Sequence, residues 1–184
     1  MGSIRGFVAG VAALVTMGCI GSVNPIVPES EGIFNASLLG TWIDSDSSER
    51  TVITKAGPHS YAIAYTDDHG QTVLLTGILS RSRDRFILDV QPTASGLGAY
   101  NDFVVRLHIA LVLDSLGPRT HLAILEPDSL DHFLRAQPAA IAHARSGDGV
   151  VLTASSSALV PFLATYISRP GALAKPSTWI RQSP

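Results

Sequence analysis

Cysteine occurs once in the 184 residues, at position 19, so no intramolecular disulfide can brace the fold and stability must come from packing. Lysine is nearly as scarce: Lys55 and Lys175 stand against eleven arginines. Charged residues make up 15% of the chain and leave a formal net charge of −2. No run of basic residues interrupts that dilution, which argues against a nucleic-acid partner. No apolar stretch reaches the roughly 20 residues that a membrane-crossing helix requires. A Gly-x-Ser-x-Gly elbow is absent, and no cysteine beyond Cys19 is available as a nucleophile.

What is there begins at the N-terminus. Arg5 precedes an apolar run from Phe7 to Met17, which closes on Gly18-Cys19. A short basic flank, a short apolar segment and a small residue at the break have the form of a secretory signal peptide over residues 1–18. Gly18-Cys19 resembles the lipobox junction of bacterial lipoproteins, in which the cysteine is lipidated and becomes the mature N-terminus. Thr16 and Met17 depart from the aliphatic and small residues of that pattern. An ordinary cleaved signal, with Cys19 discarded or left as a free thiol, is therefore the alternative. The lipoprotein resemblance implies an exported protein held in the cell envelope through Cys19. Ile20, rather than an aspartate, follows the cysteine and favours the outer membrane, facing the periplasm.

Removing the leader leaves about 165 residues, enough for one domain with a real core. Residues 20–32 carry Pro25, Pro28, Gly21 and Gly32 without hydrophobic period, so residues 19–35 read as a lipidated cysteine and flexible tether. The expected single β-rich domain then spans residues 36–184.

Strand signals start after Leu38. Thr41–Asp44 and Arg50–Thr54 are short β segments, and Tyr61, Ile63 and Tyr65 alternate with Ala62 and Ala64. Asp67-Asp-His-Gly70 marks a turn to a strand over 72–79, and Arg81–Arg85 a basic turn into Phe86–Val90. Segments 103–113 and 120–126 form an expected hairpin about Ser115–Pro118, with Ile109 opposite Ile124 and Leu111 opposite Leu122. Two helices follow. Asp128 can cap a short one bearing Leu130, Phe133 and Leu134. Leu159, Phe162, Leu163, Tyr166 and Ile167 form one stripe on a second, with Pro161 near its first turn. The fold expected is mainly β: a curled antiparallel sheet or small barrel with one or two short helices in the C-terminal half.

Gly40-Thr41-Trp42 resembles the Gly-x-Trp that opens the first strand of lipocalin-like proteins. The late helix and Arg181 suit the same plan, in which an arginine packs across the tryptophan. The whole chain also resembles small envelope lipoproteins of bacteria, which implies no activity.

Histidines and acids offer no clear chemistry. His108 and His121 share a sheet face but lie about 13 Å apart along the strands, too far to share a metal. Asp67 and Asp68 with His69 fit a solvated turn, and Ser155–Ser157 fit helix capping. No metal or other cofactor is expected. The reading is a non-enzymatic binding module. Trp42, Tyr61, Ile63, Tyr65, Phe86 and Phe103 are the candidate lining of a cavity for an apolar small molecule or lipid, with Ala62, Ala64 and Gly77 facing inward to leave volume. Arg81, Arg83 and Arg85 are candidates for surface contact with anions. The alternative is a structural or interaction protein of the envelope, with a filled core, that docks on another protein.

Overall fold

The computed structural model describes residues 20–94, 105–146 and 149–182. Cys19, the expected signal peptide over residues 1–18 and Phe103 lie outside the described residues. Among the described residues eleven strands run in order as β1 (Gly21–Ser22), β2 (Gly40–Asp44), β3 (Arg50–Lys55), β4 (Ser60–Thr66), β5 (Thr72–Ser82), β6 (Arg85–Pro92), β7 (His108–Leu113), β8 (Arg119–Ala123), β9 (His143–Ser146), β10 (Gly149–Leu152) and β11 (Ser177–Arg181). Helices α1 (Pro127–Ala136) and α2 (Ser156–Tyr166) occupy the C-terminal half.

Eight strands close an antiparallel barrel in the order β6-β5-β4-β3-β2-β11-β8-β7, with β6 paired to β7. This architecture is consistent with a lipocalin-like fold. Closure removes the exposed edges that an open sheet of these apolar strands would carry. Alternation sends Trp42, Ile53, Tyr61, Ile63, Leu79, Leu88 and Leu113 into the interior. Ala62 and Ala64, expected inside, take the opposite parity to Tyr61 and Ile63 and face out; Ala62 is exposed.

The barrel forks at β7. One edge of β7 pairs with β6 over residues 109–113. The other edge pairs with β1 at His108 and Ile109, then with β8 at Val112 and Leu113. Strand β1 continues outward, parallel to β10, which pairs with β9. A second core fills the angle between this flap and the barrel wall. Ile87, Ala110 and Val112 on the outer wall meet Leu130 and Leu134 of α1, Leu159 and Leu163 of α2, and Ile26 and Val27.

Further expectations change. Residues 20–35 are part of the fold rather than a flexible tether. Ile20, Ser22, Ile26 and Val27 are buried, a 3₁₀ turn spans Glu29–Glu31, and Ile33 bridges to Leu79. The β7–β8 hairpin sets Leu113 opposite Leu122 and Val112 opposite Ala123, two residues from the expected register. The cause is Asp114, whose Oδ1 accepts from the His121 N–H and the Thr120 hydroxyl and so places the turn. The face assignment survives because a two-residue shift keeps parity. Helix α1 starts with Pro127 at its first position after Glu126, so Asp128 lies inside the first turn. Pro161 sits in the interior of α2.

Candidate functional site

The barrel interior is built around the Gly-x-Trp segment. Gly40 has φ +126°, a conformation open essentially to glycine alone, and a Cβ there would lie 3.5 Å from Arg181 Cδ. The Arg181 stem therefore crosses the start of β2, and its guanidinium stands 5.2 Å from the Trp42 ring centroid. Trp42 Nε1 donates to the Leu38 carbonyl at 2.9 Å, and its ring lies 6.1 Å from that of Trp179. The 3₁₀ turn Ala36–Leu38 carries fully buried Leu38 into the same cluster.

Of the predicted lining, Trp42, Tyr61 and Ile63 are buried in this interior, Phe86 packs at its margin, and Tyr65 is half-buried. They pack on one another. Gly77 sits directly opposite Tyr61, and a Cβ added to it would come within 2.8 Å of Ile63 Cδ1 and 3.0 Å of Leu88 Cδ1. Its missing side chain makes room for neighbouring side chains. The Tyr61 hydroxyl accepts from the Asn35 N–H at 2.7 Å. Burial raises its pKa above the ordinary value, and that hydrogen bond offsets part of the rise.

On the outer wall, β6 carries a buried carboxylate among apolar neighbours. Asp89 Oδ2 accepts from the backbone N–H groups of Ile26 and Val27 at 2.9 and 3.1 Å. His108 Nδ1 lies 3.0 Å from Asp89 Oδ1, and His108 Nε2 lies 2.9 Å from Gln91 Nε2. A neutral imidazole donating from Nδ1 and accepting at Nε2 satisfies every one of these contacts. Gln91 Nε2 also donates to the Arg106 carbonyl. Both ring nitrogens are engaged, so this acid–histidine pair has the geometry of a lock on residues 26–27 and presents no free nitrogen to a nucleophile.

Several other histidines and acids are engaged in turns and surface ion pairs. His121 Nδ1 pairs with Asp114 Oδ2 at 2.7 Å on the surface. Asp67 Oδ1 accepts from the N–H groups of His69 and Gln71, and Asp68 Oδ1 accepts from the Ser48 N–H and hydroxyl. Asp131 binds Arg135 at 2.6 Å and also Arg145. Among the described residues no three His, Cys, Asp or Glu side chains converge as metal ligands would.

Two grooves, of about 360 and 470 Å³, lie outside the barrel. The larger runs between α1 and the end of α2, where Phe133, Phe162 and Tyr166 cluster and the Arg169 guanidinium lies 4.7 Å from the Phe133 ring. The smaller lies between residues 26–33, the β5–β6 hairpin and α2. Arg81 and Arg83 stand on it. Arg83 adopts φ +56° at the hairpin turn, and its carbonyl accepts from Arg81 Nε. Among the described residues neither these two arginines nor Arg85 has a carboxylate within ion-pair distance.

Sequence reasoning identified the arginines and weighed His108 as a metal ligand, but missed its partner Asp89 and the groove floor. Asp89 carried the available signal: a lone acid inside the apolar strand Phe86-Ile-Leu-Asp-Val90, on the same face as buried Ile87. A charge at such a position demands partners. The fold and interior define a closed eight-stranded barrel with an outer layer of two helices. No protein-family model, curated protein or solved structure matches this chain.

Proposed function

We propose that this chain is an exported, lipid-anchored protein of the bacterial cell envelope that acts without catalysis, through the outer surface of its barrel. The observation supporting a surface role is the packing around Gly77, where an added methyl group would press on the side-chain ends of Ile63 and Leu88, at 2.8 and 3.0 Å. A barrel so filled is a scaffold, which favours docking on another molecule over lumenal storage of a ligand. Support for export and anchoring comes from the leader and from Gly18-Cys19. Because Ile20 and Gly21 already belong to the fold, lipidation of Cys19 would hold the barrel close to the membrane, without the slack of a tether.

The test is fractionation of bacteria producing the full chain or Cys19→Ser. The wild-type chain is expected in the membrane fraction and the variant in the soluble fraction. Equal membrane retention of both would sink the anchor.

A further inference from the structure

The smaller groove joins two features: an apolar floor on which Ile33 and Val160 are exposed, and arginines that have no counter-ion among the described residues. Ile26, Val27, Ile33, Ile87, Val160 and Ala164 form the floor. Ile33 and Val160 are among the few large apolar residues exposed on this molecule, at 37% and 36%. Both face this one groove. The floor is also held in place before any ligand arrives. Asp89 pins the backbone of Ile26 and Val27, and the Ile33 N–H donates to the Leu79 carbonyl at 2.8 Å. Preorganisation of this kind lowers the ordering cost of binding.

Charge decides what fits. Arg81 and Arg83 stand at one side of the groove, the Arg81 guanidinium 5.9 Å from the Phe86 ring centroid; among the described residues neither is ion-paired, and Glu31 is the carboxylate that lines the groove. Arg85 continues the cationic edge along the same hairpin. A volume of about 360 Å³ lies at the lower end of small-molecule sites, room for one chain and not for a folded partner.

We infer that this groove binds a free single-chain amphiphile with an anionic head, its acyl chain on the Ile33–Val160 floor and its carboxylate or phosphate against Arg81 and Arg83. Guanidinium groups suit such heads because their paired N–H donors match two oxygens at once. The site stands apart from the anchor, since none of its residues belongs to the leader and its test reads the same in the Cys19→Ser background.

Calorimetric titration of the full chain with dodecanoate tests it, with dodecyltrimethylammonium as the head-group control and phosphatidylglycerol vesicles as the membrane control. Saturable one-to-one binding of dodecanoate is expected, with weaker binding of the cationic amphiphile. Arg81→Glu and Arg83→Asn should each weaken dodecanoate by about tenfold or more, the loss of a charged hydrogen bond. Asparagine tolerates the left-handed backbone at position 83, so that variant keeps its fold. Val160→Trp, at an exposed helix position, should block the floor and abolish binding at an unchanged unfolding midpoint. Equal affinity for the cationic amphiphile, or full binding by Val160→Trp, would overturn the site. Vesicle binding without saturable dodecanoate binding would overturn it in favour of a membrane contact.

Discussion

His108 Nδ1 stands 3.0 Å from Asp89 Oδ1 at the point where the barrel forks, and this pair joins the N-terminal segment to the outer wall. The carboxylate is almost wholly buried and the imidazole nearly so. Asp89 holds two backbone N–H groups that no sheet ladder reaches, those of Ile26 and Val27. Asp89→Ala therefore leaves two buried donors and an imidazole unpaired at once. The expected loss is about 2–5 kcal/mol, since each buried donor left unsatisfied costs about 1–3 kcal/mol. Urea unfolding measures it, and limited proteolysis should show new cleavage within residues 20–35. A loss below about 1 kcal/mol would mean that the segment is held by its apolar contacts alone.

Gly77 gives the direct test of a filled barrel. Gly77→Val should destabilise by about 1–3 kcal/mol, because its methyl groups would overlap Ile63 and Leu88 in a packed interior. A lumen with spare volume would accept the same change with little cost. Thermal unfolding of the variant separates the two cases.

How much of this was legible in the sequence depends on the range of the interaction. The lipocalin-like resemblance carried by Gly40-Thr41-Trp42 implied an arginine crossing the tryptophan, and β11 does set Arg181 opposite Trp42, its guanidinium 5.2 Å from the ring centroid. That expectation was legible because the resemblance rests on a local tripeptide. Ile26 and Val27 were misread as tether because Pro25 and Pro28 flank them and no period marks their burial. Their partner lies 63 and 62 residues away at Asp89, beyond any window of local pattern. The β7–β8 register failed for a nearer reason. Turn composition pointed to Ser115–Pro118, while the Asp114 side chain decides which residues face each other. The groove was invisible for the same cause as the tether: half of its floor comes from a segment given no structure.

Trp42 and Gly40 should be sensitive in different ways. Trp42→Ala removes the largest interior side chain and the bond to the Leu38 carbonyl, for an expected loss of about 3–5 kcal/mol. Gly40→Ala deletes nothing. It forces a side chain onto φ +126° beside the Arg181 stem, at a cost of about 1–3 kcal/mol. Denaturant titration reads both. A neutral Gly40→Ala would show that the backbone there relaxes without loss, and would leave Gly-x-Trp here as a coincidence of composition.

Asp114 sets an acid limb of stability. Burial pushes its carboxyl upward, but hydrogen bonds from the His121 N–H and imidazole, with those of Thr120 and Ser115, outweigh burial and hold it at about 2, below its ordinary 3.8. A depressed carboxylate pKa contributes stability above the unfolded value and loses it as pH falls through the folded one. The window is therefore about pH 4 down to about pH 2. The side chain is 48% exposed, so solvent screening reduces the contribution to about 1 kcal/mol or less. Asp114→Asn keeps an oxygen to accept from the His121 N–H but cannot titrate. Urea midpoints followed from about pH 5 to about pH 2 should fall less steeply in this variant than in the wild type. Asp68 and Asp131, also held low by hydrogen bonds, supply the slope common to both proteins. Identical slopes would show that the Asp114 bonds do not hold its carboxyl low on folding, and the turn would then owe its register to backbone geometry rather than to this side chain.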